Sequence, residues 1–332
     1  MKPYSSARDD FKGDADIFLD ANENPYPSPY NRYPDPLQWK VKEKLATVKR
    51  VRPEQIFLGN GSDEAIDLVI RAFCEPGNDS ILITDPTYGM YSVCADVNAV
   101  SVQRVKLTSS FDLDLDKTME KIDSTTKVIF FCSPNNPTGN LLSSDKIKEI
   151  LEGFRGIVVI DEAYIDFTPG KSFAEELDMY PNLIVLQTFS KAWGLAGLRL
   201  GIAFASTEII NILNKIKYPY NVNVQTQDLA LKALAFARQK DQWVNEIIEQ
   251  RKKMAKDLSE LQLTKKVFPS DSNFLLVQVN EAVKTYRYLM NRGIIVRDRS
   301  NVTLCNDCLR ITVGTPAENA KLIKALNEMY LT

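Results

Sequence analysis

The chain of 332 residues contains no histidine. That absence excludes Ser-His-Asp and Cys-His triads, histidine-ligated metals and imidazole acid–base chemistry. Proton transfer falls instead to lysine, tyrosine, aspartate, glutamate or a cofactor. Cysteine is sparse: Cys74, Cys94, Cys132, Cys305 and Cys308 are odd in number and scattered, which argues for a reducing cytoplasm rather than a disulfide framework. Only Cys305 and Cys308 have CxxC spacing. Without a second pair or a histidine they cannot complete a zinc site, so a structural or incidental role is expected and no metal. Long hydrophobic runs are also missing. Stretches such as 156–160 and 182–186 fall far short of the roughly 20 residues a membrane helix needs. The opening Met1-Lys2-Pro3-Tyr4 and the polar residues after it lack the apolar segment of a secretory leader. Charge of one sign never accumulates, since 41 Lys and Arg against 43 Asp and Glu leave a net −2. Neither nucleic acid nor an acidic membrane surface is therefore an expected partner.

What is present is ordinary for a globular chain, with 44% hydrophobic and 25% charged residues. Its length suggests about two domains, or one large domain with a satellite. Strand candidates at 55–58, 80–84, 127–132, 156–160, 183–187 and 200–205 alternate with helical patterns such as 62–74, 144–154 and 208–217. That alternation predicts a parallel-rich, doubly wound sheet flanked by helices, with ligands beyond the carboxyl ends of the strands. After about Tyr220 the texture changes. A helical stretch over 227–261 leads to short strands at 273–279 and 309–313, with helices near 282–291 and 316–330, as in a smaller α+β domain. The stretch to Pro36 carries six prolines and reads as an extended arm. The lysine-rich segment 40–50 reads as the solvated face of a helix.

Unusual residues cluster at the predicted strand ends. Gly59-Asn60-Gly61-Ser62-Asp63-Glu64 follows a strand and opens a helix, with Ser62 as its N-cap. It is either a plain glycine turn or a phosphate site made of backbone N–H groups, provided Asp63 and Glu64 turn their carboxylates away. Ser133-Pro134-Asn135-Asn136-Pro137-Thr138-Gly139 makes a tight turn that could present the Asn136 amide to a ligand. Asp161, in Val159-Ile160-Asp161-Glu162-Ala163-Tyr164, is either a cap or a buried carboxylate that keeps a pyridine nitrogen protonated. Lys191, in Thr188-Phe189-Ser190-Lys191-Ala192-Trp193-Gly194, is set among apolar and small residues between two strands. Partial desolvation and the positive charge of Arg199 would lower its pKa, as a Schiff-base amine requires. Arg199 could also clamp a phosphate.

In this order the motifs resemble the fold type I pyridoxal-5′-phosphate (PLP) aminotransferases over essentially the whole chain. Within that group they resemble the histidinol-phosphate aminotransferase family, from Asp20-Ala21-Asn22-Glu23-Asn24-Pro25-Tyr26 and Arg32-Tyr33-Pro34-Asp35 to Leu309-Arg310-Ile311-Thr312-Val313-Gly314. The resemblance implies an arm and part of a small domain at 1–35, a large PLP domain at 36–220 and a small domain at 221–332. It implies that Lys191 carries the cofactor and shuttles a proton, that Asp161 pairs with the pyridine nitrogen, and that Tyr164 and Asn136 meet the ring oxygen. Tyr88 would stack on the ring. Ser62, Asp63 and Glu64 through their backbone, with Ser190 and Arg199, would hold the phosphate. Tyr33 would reach that phosphate from a second subunit of a homodimer. Arg310 and Arg297 are the expected substrate anion contacts, and Asn24, Tyr26 and Asn221 line the pocket. The implied reaction exchanges an amino group between L-histidinol phosphate and 2-oxoglutarate, giving imidazole acetol phosphate and glutamate. A threonine-phosphate decarboxylase-like lyase, an aromatic aminotransferase and a PLP-binding regulatory module stay open as alternatives. Two departures from the family pattern, Trp193 and Pro27-Ser28, would reshape the pocket entrance.

Overall fold

A computed structural model describes residues 15–329. The opening Met1–Tyr4 and the final residue of the expected 316–330 helix lie outside the described residues. Among those described, no helix is long and apolar enough to cross a membrane.

The apolar runs of the middle of the chain become a seven-stranded sheet. Its strands are β1 (Ile56–Asn60), β2 (Ser80–Asp85), β3 (Ser101–Lys106), β4 (Thr126–Cys132), β5 (Ile157–Asp161), β6 (Leu183–Thr188) and β7 (Leu200–Ala205), in the order β1-β7-β6-β5-β4-β2-β3. The pairs from β3 through β6 are parallel, whereas β7 runs antiparallel to both neighbours. Strands β4 to β7 are buried almost throughout, as expected where helices cover both faces, so they read as continuous apolar runs rather than alternating ones. Helix α1 (Trp39–Lys49) and the core around Leu58, Ile129 and Phe131 close one face. Helix α2 (Gly61–Phe73), through Ala65, Ile66, Val69 and Ile70, closes the other.

Strand β3 and helices α3 (Met90–Val97) and α4 (Leu115–Lys121) add to the elements read from sequence. β3 is a half-exposed edge strand with a polar face, and so carries no apolar run to betray it. The segment 40–50 is not simply solvated. Val41, Lys42, Leu45 and Ala46 are buried, and the Lys42 ammonium is pushed down to about 8 by burial and by Lys217. The helical stretch expected over 227–261 divides at Phe236 into α6 (Val224–Ala235) and α7 (Ala237–Ser259), after α5 (Thr207–Ile216). Val222, Ala230 and Leu234 join the core of the large sheet, which therefore extends past Tyr220.

A second, antiparallel sheet has the order β10-β11-β9-β8, from β8 (Thr264–Val267), β9 (Phe274–Val279), β10 (Arg297–Asp298) and β11 (Cys308–Thr312). Its own apolar core, with Met254, Leu275, Val277, Leu309 and Leu322, is separate from that of the large sheet. The two sheets meet across apolar contacts, since Leu276 of β9 and Cys308 of β11 also join the core of the large sheet, and across polar ones. The Asp271 carboxylate accepts from the Leu141 backbone N–H at 2.9 Å, and the Thr303 hydroxyl donates to Asp85 at 2.5 Å. These joints bring β10 and β11 over the strand ends of the large sheet.

Candidate active site

The carboxyl ends of β1, β2, β4, β5 and β6 share one edge with the amino end of β7, as the registers Asn60↔Leu200, Thr188↔Gly201 and Cys132↔Asp161 fix. A cavity of about 760 Å³ opens there, roofed by the arginines of β10 and β11.

At one end lies the turn before helix 61–73. Gly61 has φ +73°, and its N–H donates to the Arg199 carbonyl at 2.8 Å. A Cβ on Gly201 would lie 2.1 Å from Gly61 C and Ser62 N, so only glycine lets β7 approach this turn. The N-cap is Asn60 rather than Ser62, and it makes no side-chain cap bond. Ser62, Asp63, Ser190 and Arg199 all line the cavity. Glu64 turns away as expected, accepting from the Asn60 N–H and the Asn221 amide. Asp63 does not. Its carboxylate faces the cavity, accepting from the Tyr88 hydroxyl at 3.0 Å and from Arg199 Nη2 at 3.4 Å. Both acceptor contacts lie inside the site, which explains why Asp63 keeps this orientation.

At the floor, the buried Asp161 accepts from the Tyr91 hydroxyl at 2.8 Å and from the Ala163 N–H at 3.0 Å. Burial drives its carboxyl up to about 6, although both hydrogen bonds oppose the rise. Tyr91 escaped the sequence reading because its helix, Met90–Val97, was not among the elements read there. It is fully buried, with Tyr88 edge-on at 5.6 Å.

Lys191 stands over the Tyr164 ring, with Nζ 5.5 Å from the centroid. Desolvation, then Arg310 and Arg199, lower its pKa from the ordinary lysine value, while Asp161 opposes them. Tyr164 is buried edge-on against Phe274 at 5.1 Å. Arg310 Nη1 donates to Asn136 Oδ1 at 2.6 Å. An arginine can only donate, so the Asn136 NH₂ is left to face a ligand. Arg310 and Arg297 are direct partners on neighbouring strands, and both line the cavity. Arg299 lines it too and was missed by the sequence reading. Its spacing of two from Arg297, which in an extended strand puts both on one face, was the signal.

Other expected residues are not brought to this cavity. Tyr33 stacks on Tyr220, with centroids 4.4 Å apart, beside a separate groove of about 600 Å³. Asn24 accepts from the Tyr26 N–H at 3.0 Å, and Tyr26 is 77% exposed, because the arm runs over the outer surface of its own chain. Asn221 is instead occupied by Glu64 and the Leu58 carbonyl. Trp193 is buried against Phe189 at 5.2 Å and does not shape the entrance.

The donor set fits a pyridine ring that carries an aldehyde and a phosphate. An amine of lowered basicity, a buried carboxyl at the floor, and a helix N-terminus beside a guanidinium share one cavity. The comparisons agree. The profile of the family described as aminotransferase class I and II matches residues 18–326. The histidinol-phosphate aminotransferase of Parabacteroides distasonis is 60% identical over 331 residues, covering 100% of this chain and 96% of that protein. The crystal structure of the histidinol-phosphate aminotransferase from Clostridium acetobutylicum superposes with a TM-score of 0.83 at 26% identity, covering 90% of each chain. The fold is also that of the Sinorhizobium meliloti histidinol-phosphate aminotransferase in complex with pyridoxal-5′-phosphate, with a TM-score of 0.81 at 23% identity, covering 91% of this chain and 84% of that one. By sequence, fold and the cavity that both build, this chain belongs to the class I and II aminotransferases.

Proposed function

We propose that this chain is a PLP-dependent aminotransferase that exchanges an amino group between L-histidinol phosphate and 2-oxoglutarate, in histidine biosynthesis. The observation that carries the reading is the cavity itself. It joins a lysine of lowered basicity to a roof of three arginines, Arg297, Arg299 and Arg310. The full-length similarity to an enzyme of that name supports the choice of substrate.

PLP, when bound, supplies an electron sink for the carbon that loses its proton. The chain's own residues do the rest. Lys191 holds the cofactor and moves the proton at the substrate carbon; its partial desolvation favours the neutral amine that can accept it. Asp161 keeps the ring nitrogen protonated, and Tyr91 and the Ala163 N–H fix its carboxylate for that contact. Asn136 and Tyr164 meet the ring oxygen, and Tyr88 packs on the ring. Backbone N–H groups of 62–64, with Ser190 and Arg199, hold the cofactor phosphate. Arg310, steadied by Asn136, pairs with the α-carboxylate of glutamate in one half-reaction and with the substrate phosphate in the other, since a planar guanidinium matches both anions. We infer also that the active unit is a homodimer, in which Tyr33 of one copy reaches the cofactor phosphate of the other. Exposure of Tyr26, Tyr30 and Tyr33 on the arm supports this. Asn24 and Tyr26 would then line the neighbouring copy's pocket.

An absorbance titration of the PLP-loaded protein tests the reading. Glutamate should convert the lysine-bound cofactor band to the aminated form, and imidazole acetol phosphate should restore it rapidly. Restoration by phenylpyruvate alone would make the enzyme an aromatic aminotransferase. No conversion by glutamate, with carbon dioxide released from a phosphorylated amino acid, would make it a lyase.

A further inference from the structure

Arg299 is the cation in the roof that no carboxylate among the described residues answers. It lines the cavity, its Nε is buried without a hydrogen-bond partner, and no carboxylate among the described residues forms an ion pair with it. Its charged neighbours are like charges, Arg310 and Arg297. Its backbone N–H donates to the Cys308 carbonyl at 2.9 Å, so the main chain at Arg299 is pinned to β11. A buried donor left unmade is costly, and like charges add to that cost. Only an incoming anion offsets both.

The two carboxylates of the cavity cannot be that anion. Asp63 is engaged by Arg199 and Tyr88, and Asp161 by Tyr91 and the Ala163 N–H, all on the large sheet. Nor is a third guanidinium needed for a carboxylate, whose two oxygens one bidentate arginine satisfies. A phosphate monoester presents three non-bridging oxygens and nearly two negative charges. Resting on the function proposed above, we propose that Arg299 is a third substrate-binding arginine. With Arg297 it grips the phosphate and makes the site select a phosphate monoester over a carboxylate.

The test compares Arg299→Gln and Arg299→Lys with the wild-type holoenzyme, measuring kcat and KM for imidazole acetol phosphate and for glutamate separately. Inhibition by inorganic phosphate is a third readout. A retained cofactor absorbance band shows that each variant is folded. The expected result for Arg299→Gln is a rise of about tenfold or more in KM for the phosphorylated ketone and an equal weakening of phosphate inhibition, the loss of a charge-assisted hydrogen bond. Glutamate KM should stay within about twofold, and Arg299→Lys should fall between, keeping the charge but not the planar fork. If Arg299→Gln leaves both phosphate readouts unchanged, or raises both KM values equally, the inference is overturned while the proposed function stands. If the wild type itself rejects the phosphorylated ketone, the proposed function falls and takes this inference with it.

Discussion

The two ends of the cavity handle charge in opposite ways. On the large sheet Arg199 has Asp63 as its partner and Asp161 has Tyr91, while Lys191 rests over the Tyr164 ring. On the small sheet Arg297, Arg299 and Arg310 crowd together, and among the described residues the one hydrogen bond their side chains make is to the neutral Asn136 amide. Paired groups suit a resident that stays bound through turnover, because the site must not collapse when that resident is absent. Unpaired cations suit a visitor that changes at each half-reaction, because the field draws in whichever anion arrives. Asp161 of the paired end closes a buried parallel strand, whereas Arg297 of the other end lies on a two-residue edge strand, beside Arg310 on β11.

The largest expected effect breaks the paired end at its centre. Lys191→Ala removes the group proposed to move the proton, and kcat should fall by at least about 10⁴-fold in a steady-state assay. Next is Asp161→Asn, which separates function from stability. A carboxyl at about 6 when folded, against roughly 3.9 when unfolded, binds more protons in the folded state between those values. The cofactor-free protein therefore loses stability as pH rises from about 4 to about 6. The asparagine variant should lose that slope and gain about 1–3 kcal/mol at pH 7 in denaturant titrations of the cofactor-free form. Its turnover should drop about 10²-fold or more, because the ring nitrogen would lose the anionic partner proposed for it. A variant less stable than wild type at pH 7 would show that burial does not control Asp161. Smaller again is Tyr91→Phe, which leaves a buried carboxylate one donor short. It should cost about 1–3 kcal/mol of stability near neutral pH and shift the Asp161 titration upward.

The paired end was largely legible in the sequence and the other end only partly. Gly61, Asp161 and Lys191 carry their positions locally, each fixed by a strand end and a turn whose chemistry few residues satisfy. Strands buried on both faces announce themselves as apolar runs; edge strands β3 and β8, half exposed, do not. Tyr91 and Arg299 meet tertiary neighbours, Asp161 and Arg310, that lie far from them or on another strand, so their places in the site emerge only when the helix and the second sheet are packed. The carboxylate of Asp63 was misjudged for the same reason. From its own helix an acid beside a phosphate turn looks repelled, yet Arg199 and Tyr88 from two other segments hold it there. Lys42 shows the converse error, where a lysine-rich pattern read as solvated hides one ammonium beneath the fold.

The division of labour between the two ends is tested most directly by pairing Arg199→Gln with Arg310→Gln and measuring cofactor dissociation and substrate KM in each. Arg199→Gln should weaken PLP retention by about tenfold or more while leaving the KM of glutamate within about threefold. Arg310→Gln should do the reverse, raising KM for both glutamate and the phosphorylated ketone by about ten- to a hundredfold with PLP retention unchanged. Loss of cofactor from Arg310→Gln, or a KM defect in Arg199→Gln without loss of cofactor, would contradict it.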